Sequence, residues 1–288
     1  MSSDYHIRNP FEVGLEQAAA AASAVGHAIA DHRIAAAEPA PTVRQITIAD
    51  LRDALAKGIA DLGAYRADIL FIGLVYPLAG ILLAQAAYGH SLLPLIFPLA
   101  SGFALIGPLA AVGLYEISLR REQGAAVTWT DAAGVLRSPS FASIVGLGLI
   151  MVAIFLAWLG AAYGIYSLTL GPQPPASLGA FVRDVFETPA GWAMIVAGVG
   201  VGFLFAVLSL AISVVSFPLL LEHNVGVGRA IATSVRAVTG NPWTMAAWGL
   251  IVAGGLVLGS LPAFAGLVIV MPVLGHATWH LYRKVVAA

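Results

Sequence analysis

The sequence predicts an all-α, polytopic membrane helical bundle with six transmembrane helices. Only 10% of its 288 residues are charged, whereas 59% are hydrophobic, and soluble domains carry about 25% charged residues. A helix needs about 20 apolar residues to cross the hydrocarbon core of a bilayer, and the chain offers six such runs. The predicted spans cover residues 68–88, 92–115, 141–168, 192–220, 243–260 and 262–281.

The division of the last apolar stretch decides where the C-terminus lies. Residues 243–282 are long enough for two spans, and Pro262 is suited to open a new helix. A single kinked helix is the alternative, and it would move the C-terminus to the other side. With six spans, thirteen of the fourteen Lys and Arg residues fall on one side, with Arg183 as the exception. Because cytoplasmic loops are enriched in basic residues, both termini are predicted to be cytoplasmic.

Two segments outside the spans are predicted to be cytoplasmic. Residues 1–45 form an N-terminal arm with an Ala-rich helix and a linker, and residues 46–288 form the membrane domain. Within that domain, residues 46–66 predict an amphipathic helix at the membrane interface. Its apolar and its charged positions fall on two different faces, namely Ile48, Leu51, Leu55, Ile59 and Leu62 against Asp50, Asp53, Lys57 and Asp61.

A threefold pattern suggests an internal repeat of amphipathic helix plus helical hairpin. Short amphipathic pieces precede the first, third and fifth spans, and the second span of each hairpin carries a proline (Pro108, Pro218 and Pro272). Such a repeat would bring polar residues of spans 2, 4 and 6 to one depth near the cytoplasmic end. The candidate polar cluster consists of Tyr115, Glu116, Arg120, Glu222, His223, His276 and His280.

These polar residues also have simpler interpretations. Glu116 and Arg120 are four residues apart and could pair where the helix ends at the headgroups. His276 and His280 project from one helix face and, with His223, could bind a metal ion or haem. Interfacial or hydrogen-bonded histidines are the favoured alternative. We therefore predict no cofactor and no metal.

The remaining composition narrows the function classes. A formal net charge of −1 argues against a nucleic-acid partner, and the absence of cysteine excludes thiolate chemistry. The chain has no P-loop, no Gly-x-Ser-x-Gly elbow and no dinucleotide fingerprint, so an enzyme is not predicted.

Two stretches resemble a known family. Residues 102–122 read GFALIGPLAAVGLYEISLRRE, and residues 271–282 read MPVLGHATWHLY. Both are similar to the bacterial integral-membrane family catalogued as domain of unknown function 2189, over about residues 45–285. The resemblance implies a multi-span protein of the bacterial inner membrane with no assigned activity, and it implies no site residues.

Three functions follow as expectations. The first is a non-catalytic accessory or assembly partner of a membrane complex, bound to lipid and to another membrane protein or a second copy. The second is a small channel or transporter with its polar site at the cytoplasmic ends of spans 2, 4 and 6. The third is a membrane enzyme that binds a metal ion or haem.

Overall fold

The computed structural model describes residues 41–64, 93–261 and 266–287, and this part of the chain is almost entirely helical. Two short strands, β1 (Thr42–Val43) and β2 (Val286–Ala287), pair antiparallel. Short 3-10 helices cover Leu93–Leu95 and Trp129–Arg137. The α-helices are α1 (Ile48–Ala64), α2 (Ile96–Leu105), α3 (Gly107–Ala110), α4 (Val112–Glu122), α5 (Phe141–Thr169), α6 (Leu178–Glu187), α7 (Pro189–Ser213), α8 (Ser216–Glu222), α9 (Val227–Gly240), α10 (Pro242–Ser260) and α11 (Leu267–Val285).

Three of the described helical segments are long and apolar enough to cross a membrane. They are Phe141–Thr169, Pro189–Glu222 and Pro242–Ser260, and they coincide with the predicted third, fourth and fifth spans. Their outer surfaces carry large exposed apolar side chains, such as Leu149, Phe203 and Leu250. A surface of this kind is suited to lipid rather than to water.

The predicted second span is interrupted. Helix α2 ends at Leu105, and the chain continues as the short α3 and then as α4. Pro108 lacks an N–H group and its ring disturbs the preceding turn. The N–H of Leu109, the usual helical partner of the Leu105 carbonyl oxygen, donates to Ile106 instead. The Leu105 carbonyl oxygen accepts a hydrogen bond from Ser209 Oγ at 2.9 Å. This hydrogen bond links the end of α2 to α7 at the point where the predicted span is interrupted.

Of the other two predicted spans, the structure describes one only in part and the other not at all. The predicted first span, residues 68–88, lies outside the described residues, as does the predicted arm up to residue 40. At the last boundary, α10 ends at Ser260 and α11 begins at Leu267, and residues 262–265 between them are not described. Helix α11 extends to Val285, beyond the predicted end of the sixth span. Its C-terminal half is more polar than its N-terminal half.

One end of the molecule gathers segments that are far apart in the sequence. The backbone N–H of Arg44 donates to the carbonyl oxygen of Val285 at 2.7 Å. The Asn241 side chain, between α9 and α10, accepts from the N–H of Ile46 at 2.8 Å and donates to the carbonyl oxygen of Arg44 at 3.1 Å. The segment before α1, the α9–α10 junction and the C-terminus therefore lie together, as they would if all three are on the same side of a membrane.

The predicted amphipathic helix is present as α1, and its apolar positions are divided between a packed and an exposed side. The side packed on α11 consists mainly of Leu51, Ala54, Gly58 and Asp61, all buried. Ile48 and Ile59, which belong to the predicted apolar face, are 49% and 59% exposed. The small residues decide the outcome, because a Cβ atom at Gly58 would lie only 2.7 Å from the Val273 carbonyl oxygen.

The threefold repeat stays a prediction. The three amphipathic pieces differ in the structure, since the first and third are α-helices of 17 and 14 residues, and the second is a 3-10 helix of nine residues. The prolines also act differently. Pro108 lies at a break between helices, Pro218 lies in the short α8, and Pro272 lies inside a continuous α11.

Candidate functional site

The carboxylate of Asp61 is the centre of a buried ionic network. Asp61 is 4% exposed and lies on α1, facing α4 and α11. Its Oδ2 atom accepts a hydrogen bond from Ser118 Oγ at 2.9 Å and lies 2.9 Å from His280 Nε2. The guanidinium group of Arg121 donates to its Oδ1 atom. One carboxylate thus connects three helices.

His276 lies at the inner end of this network. It is fully buried, and its Nδ1 atom is 2.7 Å from Ser118 Oγ and 3.8 Å from Asp61 Oδ2. The Ser118 hydroxyl has a single proton, which it donates to the Asp61 carboxylate, so it can only accept from His276. This arrangement assigns the proton of the His276 ring to Nδ1.

The network continues outward along α11 to α8. His280 Nδ1 lies 3.6 Å from Glu122 Oε1, and Arg283 Nε lies 3.2 Å from Glu122 Oε2. Arg283 Nη1 donates to Glu222 Oε1 at 2.7 Å, and Tyr282 donates to Glu222 Oε2 at 2.5 Å. We define the Asp61 network as Asp61, Ser118, Arg121, Glu122, Glu222, His276, His280, Tyr282 and Arg283.

The carboxyl groups at the centre of the network are ionised at neutral pH. Burial raises the pKa of Asp61, but hydrogen bonds from His280 and Ser118 lower it by more, so the pKa lies below its usual value. The pKa of Glu122 is likewise below its usual value, because His280 and Arg283 outweigh the effect of burial. These two carboxylates thus face the guanidinium groups of Arg121 and Arg283.

Glu116 and Arg120 form a separate pair, as the simpler interpretation expected. Arg120 Nε donates to Glu116 Oε1 at 2.6 Å, and Arg120 Nη1 donates to Asp131 Oδ1 at 2.8 Å. A Cβ atom at Gly134 would overlap the Arg120 guanidinium group. This pair therefore holds the Trp129–Arg137 segment against α4. Tyr115, one residue before Glu116, is buried in the apolar core.

The histidines are divided between two surroundings. His276 and His280 both face Asp61, whereas His223 Nε2 lies 3.6 Å from Glu222 Oε2 at the outer edge of the network. Among the described residues, no group of three His, Asp or Glu side chains is arranged to hold a metal ion. The predicted trio of His223, His276 and His280 is thus not assembled around one point.

The predicted polar cluster included three members of the Asp61 network, namely Glu222, His276 and His280. The sequence prediction placed Asp61 on the charged face of the amphipathic helix and did not single out Ser118. A signal was present, because Ala54, Gly58 and Asp61 follow helical spacing on one face. Small residues in such a stripe allow close packing, so a charged residue among them is expected to lie in the helix contact.

The long apolar helices and the buried ionic network at one end define the class, which is an all-α integral membrane protein. Comparison with family models agrees, because the family described as predicted integral membrane protein (DUF2189) matches residues 96–222. The resemblance found in the sequence is thereby confirmed over α2 to α8. The match includes Ser118, Arg121 and Glu222, but not α1 or α11, which supply Asp61 and the two buried histidines. No curated protein and no solved structure matches the chain.

Proposed function

We propose that this integral membrane protein is a non-catalytic accessory or assembly partner of a larger membrane complex. The observation that carries the proposal is the outward face of α1. We further propose six spans in the bacterial inner membrane, with both termini in the cytoplasm. The distribution of basic residues supports this orientation, as does the contact between the segment before α1 and the C-terminus. Helix α1 would then lie on the cytoplasmic side.

The outward face of α1 is mostly apolar, with Arg52 as its one basic residue, although the helix lies outside the predicted spans. Ile48 and Ile59 are 49% and 59% exposed, and the residues around them are small, including the exposed Ala56 and Ala60. The acidic residues of α1 are instead directed toward α11, since Asp50 and Asp53 both contact Lys284. An exposed apolar face beside a fixed helix is typical of a protein contact surface.

The Asp61 network supports a structural role for the charged residues. Its carboxylates pair with guanidinium and imidazole groups of the same chain, and the two pairs of Asp61 hold α1 against α4 and α11. Buried polar groups that satisfy one another make a helix position rigid and well defined. The network therefore presents the apolar face of α1 in one orientation, as a docking surface requires.

The test is purification of the tagged protein from its native membrane in mild detergent, with Ile59→Glu as the variant. Leu136→Glu is the matched control, because Leu136 is 66% exposed and lies in the Trp129–Arg137 segment. We expect a stoichiometric partner with the wild type and the control, and at least about a tenfold loss with Ile59→Glu, which buries a charge in the contact. A wild-type protein that elutes alone, at its own mass of 29.7 kDa plus detergent, would contradict the proposal.

A second candidate is a small channel or transporter, and the burial of the Asp61 network favours it. Ionisable residues inside membrane proteins often line ion or proton pathways. Here, contacts lead from the fully buried His276 through Ser118, Asp61 and His280 to Glu122 at the surface. Transport requires that Asp61→Asn lowers solute or proton flux in proteoliposomes while the protein keeps its stability.

A further inference from the structure

Helix α6 presents three distinct faces at the end of the molecule opposite the Asp61 network. Its packed face holds Phe181 and the buried Val185. A second face carries large apolar side chains that remain exposed, namely Leu178 (57%), Val182 (46%) and Phe186 (60%). The third face is charged and carries Arg183, Asp184 and Glu187. The exposed apolar residues recur every four positions, so they form one continuous stripe.

The orientation of α6 is fixed by its neighbours. Thr188 Oγ1 donates to the Asp184 carbonyl oxygen at 2.5 Å and accepts from the N–H of Gly191 at 3.0 Å. A Cβ atom at Gly191 would overlap the Val185 carbonyl oxygen, so α6 and the start of α7 are in direct backbone contact. The Phe181 ring packs edge-on against Tyr166 of α5, with ring centroids 6.4 Å apart. The helix cannot turn its apolar stripe inward without losing these contacts.

The stripe adjoins the apolar outer surface of α7. Trp192, in the first turn of α7, is 54% exposed, and its Nε1 atom donates to the Phe186 carbonyl oxygen at 3.0 Å. Further along α7, Val196, Val199 and Phe203 are exposed in turn. Tryptophan at the end of a membrane helix marks the level of the lipid headgroups. The apolar stripe of α6 is therefore at headgroup level and next to the hydrocarbon-facing side of α7.

We propose that α6 lies flat in the headgroup layer of the membrane, with Leu178, Val182 and Phe186 inserted toward the acyl chains and the charged face in water. Lipid is the occupant because the stripe continues the lipid-facing surface of α7. The leaflet is the one away from the Asp61 network, since the segment Pro189–Glu222 runs from Trp192 to Glu222 at the other end. One arginine and two acids give α6 no net positive charge, so anionic lipid is not required.

The test uses nitroxide labels on single cysteines in the full chain, which has no cysteine of its own. The labelled positions would be Val182→Cys and Phe186→Cys on the stripe, and Arg183→Cys and Glu187→Cys on the charged face. In phosphatidylcholine nanodiscs, we expect the stripe labels to collide several-fold more with oxygen than with a water-soluble nickel chelate. We expect the reverse at the charged positions.

Four outcomes would overturn all or part of the proposal. Equal nickel accessibility on both faces would place the stripe in water. Protection of the stripe labels from both reagents would mean that protein, such as a second copy, covers it. A depth that rises steeply from Val182 to Phe186 would mean that α6 does not lie flat. If the stripe labels entered the bilayer only after phosphatidylglycerol was added, the charge argument would be wrong. Elution on gel filtration like the wild type confirms that each variant is folded.

Discussion

Asp61→Asn is expected to destabilise the docking of α1 by about 3 kcal/mol, the typical cost of breaking a buried ion pair. Asparagine preserves the size of the side chain but removes the negative charge that Arg121 and His280 face. Limited trypsin digestion measures the effect, because Arg52 and Lys57 are exposed cleavage sites on α1. When cleavage follows local opening, the digestion rate at these sites should rise by about 100-fold.

Asp53→Asn is the matched control for this change, since it makes the same substitution on the same helix. Asp53 lies 3.0 Å from Lys57 and 2.9 Å from Lys284 in an exposed setting, where ion pairs contribute less than about 1 kcal/mol. Equal effects of the two variants would contradict the structural role of Asp61. Wild-type protease resistance of Asp61→Asn, together with lost flux in proteoliposomes, would favour the transport candidate instead.

Gly58→Ala is expected to destabilise the contact between α1 and α11 by about 1 kcal/mol net. The new methyl group would lie 2.7 Å from the Val273 carbonyl oxygen and 2.8 Å from Ala277 Cβ and N. Backbone atoms cannot rotate away, so the two helices must separate, and overpacking of this kind costs about 1–3 kcal/mol. The gain in helix propensity, about 1 kcal/mol, offsets only part of this cost. Thermal denaturation of the purified protein in detergent, followed by size-exclusion chromatography, measures the result.

Gly63→Ala, on the same helix, is expected to change the stability in the opposite direction. A Cβ atom at Gly63 meets nothing within 4 Å, so only the propensity gain of up to about 1 kcal/mol remains. We therefore expect Gly63→Ala to tolerate the same or a higher temperature than the wild type. If both alanine variants stabilised the protein, α1 would not be packed on α11 through Gly58.

The helices could be predicted from the sequence, but not the face of α1 that is buried. Hydropathy favours Ile48 and Ile59 as the packed residues, whereas closeness of approach favours Ala54 and Gly58, which contribute little to a hydropathy pattern. The face of α1 that packs on α11 is the one that lets the two backbones approach most closely, because small residues keep few atoms between them. Asp61 then follows Gly58 into the contact. A single sequence does not show which of these two criteria applies.

Contacts between residues that are far apart in the sequence were the other feature that the sequence did not predict. The i,i+4 spacing of His276 and His280 correctly predicted that both rings share one helix face. Their common partner Asp61 is 219 positions from His280 along the chain, so no local spacing indicates it. The break after Leu105 is similar, because Pro108 predicts a disturbance there, whereas the hydroxyl that satisfies the freed carbonyl group comes from Ser209.

The most direct test of the central claim, that the outward face of α1 binds another membrane protein, is site-specific photo-cross-linking in the native membrane. A photoreactive amino acid at position 59 should give one discrete adduct larger than the protein itself, and the same residue at position 136 should not. Both positions are exposed in the structure, at 59% and 66%. A difference in cross-linking would therefore reflect where the two residues lie and not how exposed they are. Adducts of equal yield at both positions, or adducts with lipid alone at position 59, would contradict the account.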